Sequence, residues 1–161
     1  MSITVFTDGA CSNNGKLNAL GGYGVYFPNK ELPDISEEFT LHPITNQRAE
    51  LYAIYTALTM IFNKCDVNKI LLYSDSDYSI KCLTSWIYNW KRNNWKTSNK
   101  KPVKNKDIIE NISKLIDQNS NVTVSFFHVK AHTNKTDDIS MGNHFADKLA
   151  TNGINNNPSI C

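Results

Sequence analysis

The sequence predicts an α/β domain in which one mixed five-stranded sheet is flanked by helices. Three observations carry this. Short extended runs before residue 42 are joined by links too short for a helix, so they form an antiparallel meander. An apolar stripe of helical period over residues 51–62 then leads into the continuous apolar run Ile70-Leu71-Leu72-Tyr73. Helical and extended segments alternate again beyond it, and strand–helix–strand connections call for parallel pairing with right-handed crossovers.

In the first strand, Ile3, Val5 and Thr7 alternate with Thr4, Phe6 and Asp8, so the strand covers 3–8 and ends in an acid. Residues 9–15 read as a turn. The Gly21-Gly22 pair precedes a second strand over 23–27, and 37–41 reads as a short third one. Leu51, Ile54, Tyr55, Leu58, Ile61 and Phe62 form one face of a helix, with Thr45 or Asn46 as its N-cap. Ile70 to Tyr73 has the unbroken apolar character of a buried central strand. Ser74-Asp75-Ser76 caps a short helix, and a basic, aromatic segment follows it. Ile108, Ile109, Ile112, Leu115 and Ile116 mark another helix, 122–129 a fifth strand and 140–151 the last helix. The remaining tail is polar and reads as frayed.

A chain of 161 residues is the size of one ordinary domain, and 40% hydrophobic with 20% charged residues excludes a disordered chain. No apolar run approaches the ~18 residues of a membrane helix. Met1 leads directly into a β-like run, with no room for a signal peptide. Cys11, Cys65, Cys82 and Cys161 form no CxxC pair, so they read as reduced thiols rather than zinc ligands. The expected location is therefore cytoplasmic, with the nucleus or another reducing compartment left open, and not secreted. The net charge of +2 hides an asymmetry: residues 81–106 carry eight Lys and Arg and no acid, leaving −6 on the rest. A solvated face is the plain reading of such a run. The total lack of acids and the interleaved Trp86, Tyr88, Trp90 and Trp95 favour a polyanionic partner instead.

Asp8 and Asp75 stand at strand ends, Glu50 near the start of the long helix and Asp147 on the last helix. In open α/β sheets, sites form beyond the carboxyl ends of the strands, and parallel neighbours would bring Asp8 and Asp75 side by side there. Any one of these acids is equally a turn former or helix cap. As a set they repel: two charges ~4 Å apart cost roughly 4 kcal/mol at an effective dielectric near 20. A cluster of this kind is tolerable mainly around cations, and an all-oxygen ligand set points to Mg²⁺ or Mn²⁺. Paired hard cations suit phosphodiester displacement.

The segments Thr7-Asp8-Gly9-Ala10-Cys11, Thr45-Asn46-Gln47-Arg48-Ala49-Glu50-Leu51, Ser74-Asp75-Ser76 and Gly142-Asn143-His144-Phe145-Ala146-Asp147 resemble, in order, the motifs of the type 1 ribonuclease H family. Trp86 to Lys91, Trp95-Lys96-Thr97 and Lys100 to Asn105 resemble that family's basic protrusion. The resemblance covers residue 3 to about residue 151. It implies the ribonuclease H-like strand order 3-2-1-4-5, with strand 2 antiparallel, and a catalytic domain over 1–152 followed by a tail at 153–161. It further implies cleavage of the RNA strand of an RNA/DNA hybrid without sequence preference, leaving 5′-phosphate and 3′-hydroxyl ends.

On this resemblance Asp8, Glu50, Asp75 and Asp147 hold two Mg²⁺, with Mn²⁺ as an alternative, and His132 matches a mobile-loop histidine that assists proton transfer or product release. Asn14, Asn46 and Gln47 match minor-groove positions, where amides can bond the 2′-hydroxyl that distinguishes RNA. Thr45 and Arg48 match phosphate contacts, and Trp86 a residue that packs on DNA sugars. Lys91, Lys96, Lys100, Lys101 and Lys104 belong to the protrusion of about 86–105, where they would neutralise the DNA backbone. Trp90 and Trp95 read rather as the protrusion's own small core. His42, His128 and His144 keep structural or surface readings.

Two departures stand out. Asp77 occupies a substrate-binding position where many relatives place Gln, and would add repulsion near phosphates or a fifth carboxylate near the metals. The loop from His132 to Asp147 is lengthened by residues 134–141, and Ala131 replaces a frequent Gly. The partner expected is the hybrid duplex, with no membrane and a monomeric protein. A DNA-acting relative, such as a resolvase or transposase core, and an inert hybrid-binding module are the rival readings.

Overall fold

The computed structural model describes residues 1–155. In chain order these form β1 (Ser2–Ser12), β2 (Leu20–Tyr26), β3 (Ile35–Phe39), α1 (Asn46–Lys64), β4 (Lys69–Ser74), α2 (Asp77–Lys81), α3 (Ile87–Arg92), α4 (Lys106–Gln118), β5 (Thr123–His128) and α5 (Asp138–Asn155). A π-helical turn over Cys82–Trp86 joins α2 to α3. The sheet order is β3-β2-β1-β4-β5, as expected. β2 runs antiparallel to β1 and β3, while β1, β4 and β5 are parallel.

α1 covers one face of the sheet. Leu51, Ile54, Leu58 and Ile61 are fully buried, and α4 packs on α1 through Ile108, Ile109 and Ile112. α5 covers the other face, over β1, β2 and β3. Two glycines set how closely these helices approach. A Cβ on Gly9 would collide with the backbone of Ala49 and Glu50, so Gly9 lets α1 lie directly on β1. A Cβ on Gly24 would sit 2.6 Å from the Ala146 carbonyl oxygen, so this glycine seats α5 on β2.

The start of β2 differs from the sequence reading. The Gly21-Gly22 pair belongs to β2 instead of preceding it: a Cβ on Gly22 would collide with the Ala150 carbonyl oxygen of α5, while one on Gly21 would crowd Ile44 and Phe39. β1 correspondingly does not end at Asp8. It continues to Ser12, paired from Asp8↔Gly24 to Ser12↔Leu20, so the segment read as a turn from residue 9 is strand as far as residue 12. β3 lies two residues earlier than expected, where Phe39 is buried against Tyr52. α5 runs past residue 152, with Gly153 packed on the Glu37 backbone; residues 156–161 of the expected tail lie outside the described residues. No helix among the described residues is long and apolar enough to cross a membrane.

Candidate active site

The last parallel pair of β1 and β4 is Thr7↔Ser74, so the next residue on each strand, Asp8 and Asp75, emerges at the same level. Asp8 is there mid-strand in sequence but at the end of its parallel pairing, where the sheet opens. Gly9 brings α1 against β1, which lowers Glu50 onto the same spot. One carboxylate oxygen from each of Asp8, Glu50 and Asp75 lies within 4.8 Å of the others. Asp147, from α5, faces the same open cavity of about 330 Å³ with His132 and Asn46.

Asp8 and Glu50 are only 2% and 5% exposed. The Gly9 amide donates to Asp8 Oδ1 at 2.9 Å, while Glu50 Oε2 is buried with no partner. Burial pushes the Asp8 carboxyl well above the carboxylate range, and the charges of Glu50 and Asp75 add to the rise. Burial also raises Glu50, against a hydrogen bond shared with Asp8 that pulls it down. This is unfavourable chemistry for carboxylates alone, and it suits a hard divalent cation: the ligand atoms are all oxygen, they converge, and Glu50 Oε2 has lone pairs that no donor meets.

A family model for RNase H matches residues 1–155. The chain is 37% identical to the ribonuclease H of Clostridium botulinum over 94% of its own length and 95% of that protein.

The chain belongs to the ribonuclease H family.

It is also 43% identical to the ribonuclease H of Schizosaccharomyces pombe over 92% of its length, but spans only 52% of that relative. Its backbone matches the solution structure of the PFV RNase H domain with a TM-score of 0.75, at 26% identity over 95% of this chain and 94% of that one.

Other residues of this chain take clear places. Thr45 is the N-cap of α1, its Oγ1 accepting from Arg48 N at 3.2 Å, so the cap is Thr45 and not Asn46. Asn14 Oδ1 accepts from Asn46 N at 2.9 Å, which ties the loop after β1 to the helix start. Asn46 then lies exposed at the cavity rim with Gln47 half-buried beside it.

Arg48 differs from the sequence reading. It is 4% exposed, and its guanidinium binds both oxygens of Asp107, at 2.8 and 2.7 Å, and the carbonyl of His42 at 3.3 Å. A guanidinium enclosed in this way joins α1 to the start of α4 and to the loop before α1, instead of facing a phosphate. Asp77 is exposed in the first turn of α2 and pairs with Lys81 at 2.7 Å, apart from the three clustered carboxylates, and Lys81 holds its carboxyl below the usual range.

Along the protrusion, Trp86, Trp90 and Trp95 form a row with ring centroids 6.0 and 6.5 Å apart. Trp90 and Trp95 are partly buried against the core, whereas Trp86 is exposed. Trp86, Trp90 and Lys96 border a groove of about 360 Å³. Lys91 reaches Asp117 at 3.4 Å. Lys96, Lys100, Lys101 and Lys104 are exposed, and make no ion pair among the described residues.

His132 is exposed in the loop before α5, with a left-handed φ of 53°. Sequence reasoning missed Asn143, whose Nδ2 donates to Asp75 Oδ2 at 3.2 Å. A signal for it exists: Asn143 precedes Asp147 by four residues, one helical turn, so both lie on one face of α5. Sequence reasoning also missed Asn105 and Asp107 as the partners of Arg48, which no local pattern announces.

Proposed function

We propose that this chain is an endoribonuclease that hydrolyses the RNA strand of RNA/DNA hybrids without sequence preference, leaving 5′-phosphate and 3′-hydroxyl ends. The observation that carries the reading is the convergence of Asp8, Glu50 and Asp75 within 4.8 Å, in a cavity shared with Asp147. Asp8, Glu50, Asp75 and Asp147 would hold two Mg²⁺, or Mn²⁺. Such a pair supplies the charge compensation for the attacking and leaving oxygens of an in-line displacement.

The protein's own groups do the rest. The raised carboxyls of Asp8 and Glu50 must release their protons on loading, so metal affinity rises with pH. Asn46 borders the cavity, and its amide, with those of Asn14 and Gln47, would bond the 2′-hydroxyls of the RNA strand, while Thr45 would contact a phosphate. Trp86 and the exposed lysines of the protrusion offer a stacking surface and positive charge to the DNA backbone, which sets register and affinity but reads no sequence. His132, at the cavity edge, moves a proton or hastens product departure. We place the protein as a monomer in a reducing compartment, the cytoplasm first; Cys11, Cys65 and Cys82 are free thiols.

The test is cleavage of labelled RNA/DNA hybrid, double-stranded RNA and duplex DNA, each with Mg²⁺ and with EDTA. Cleavage confined to the RNA of the hybrid and abolished by EDTA is expected. Cleavage of duplex DNA would favour the resolvase-like reading, and hybrid binding with no cleavage the inert module.

A further inference from the structure

Behind the carboxylates lies a second, small cleft bordered by Lys130, His132, Ser140, His144 and Asp147, with Asn143 among its walls. Asn143 is 4% exposed. Its Nδ2 is engaged by Asp75, but its Oδ1 is buried with no partner. A buried amide oxygen left without a donor is costly and rare in folded proteins, so a donor is expected to arrive there. His132 and Asp147 border both this cleft and the carboxylate cavity. Lys130, Ser140 and His144 border the cleft without bordering the carboxylate cavity.

We propose that Asn143 is a positioning residue for two members of the site at once: its amide nitrogen fixes the Asp75 carboxylate, and its carbonyl oxygen receives a ring N–H of His132. The inference rests on the ribonuclease reading above. Asp75 is less buried than Asp8 and Glu50, so its carboxylate has more freedom to turn, and the bond from Asn143 to its Oδ2 restrains it. His132 sits on an exposed loop, and one bond to Asn143 selects its tautomer. The ring nitrogen opposite that bond then keeps its lone pair for the carboxylate side. Because Asn143 and Asp147 lie one turn apart on α5, this helix sets Asp147 directly and Asp75 and His132 through Asn143.

Asn143→Leu removes both polar atoms at similar volume; Asn143→Ala serves as a second variant, each accepted only if its melting curve stays cooperative. Three readouts on the full chain test the proposal. Nitrogen NMR of the His132 ring, with Mg²⁺ present, is expected to show one dominant tautomer in the unsubstituted protein and a mixture in either variant; identical spectra would overturn the docking of His132. Calorimetric titration with Mg²⁺ is expected to show affinity reduced about 10-fold; unchanged affinity would overturn the hold on Asp75. On hybrid cleavage, His132→Ala is expected to lower kcat by roughly 10²-fold alone, but by under about threefold when Asn143 is already Leu. Fully multiplicative losses would count against the coupling. If the unsubstituted protein leaves hybrid intact while the NMR and calorimetric changes are seen, the ribonuclease reading fails and the positioning role of Asn143 stands.

Discussion

The carboxylate cluster and the basic protrusion concentrate opposite charges in opposite ways. Asp8 and Glu50 are buried, on β1 and at the start of α1, while Lys96, Lys100, Lys101 and Lys104 stand in solvent outside the helices and the sheet. Buried like charges cost folding energy and gain from it a fixed geometry, which bond-breaking chemistry needs. Solvated charges cost little and move freely, which suits attraction of a phosphate backbone over a distance of about 8–10 Å at ordinary salt. The difference teaches that the two regions should be separable: the first sets rate, the second affinity.

The largest expected effect tests the first half of that separation. Asp8→Asn or Asp75→Asn should lower hybrid cleavage by at least about 10³-fold, with hybrid binding nearly intact and a melting temperature in EDTA that holds or rises. Near-normal cleavage by either variant, measured on labelled hybrid, would break the assignment. On the other side, neutralising Lys100, Lys101 and Lys104 together should weaken hybrid binding. The slope of log K against log salt should fall by ~0.9 for every phosphate that is no longer neutralised. The rate at saturating substrate should change little. An unchanged salt slope would make these lysines a solvated face.

Stability as a function of pH separates the regions again. The folded-state carboxyls of Asp8 and Glu50 are raised above their unfolded values. The folded protein then binds more protons than the unfolded chain, so their contribution is fully present below the unfolded values and is lost as pH rises through the folded ones. Melting in EDTA should therefore fall between about pH 5 and 8. Saturating Mg²⁺ should flatten the fall, and Asp8→Asn should reduce it. A fall of the same size in Asp8→Asn would place its origin elsewhere.

Arg48 offers a sharper, smaller test. If it clamps helices rather than a phosphate, Asp107→Asn should cost about 2 kcal/mol of stability, because it leaves a buried guanidinium short of its partner. Denaturant titration measures this, and a loss of hybrid affinity without loss of stability would return Arg48 to the substrate. Smallest of all is Asp77→Gln. With Asp77 exposed and paired to Lys81, we expect a slight drop in melting temperature and no change in the Mg²⁺ requirement. A higher Mg²⁺ concentration at half-maximal rate would make Asp77 part of the carboxylate region after all.

What the sequence determined by itself follows from short-range periodicity. The 3.6-residue stripe of α1, the unbroken apolar β4 and the acids beside them are local patterns, and they were enough for the fold class and for singling out Asp8, Glu50 and Asp75, which the fold brings together. The tertiary structure alone decided whatever depends on residues far apart in the chain. The Gly21-Gly22 pair lies inside β2 instead of before it, and at Gly22 it is α5, arriving from more than a hundred residues away, that leaves no room for a Cβ. Arg48 sits in a motif beside the site, yet its charge is matched by Asp107 on another helix. The bond from Asn143 to Asp75 exists only because α5 is brought against the residue that follows β4, 68 positions earlier in the chain. In each case the same local residues would serve either role, and the neighbour brought in by packing chooses between them.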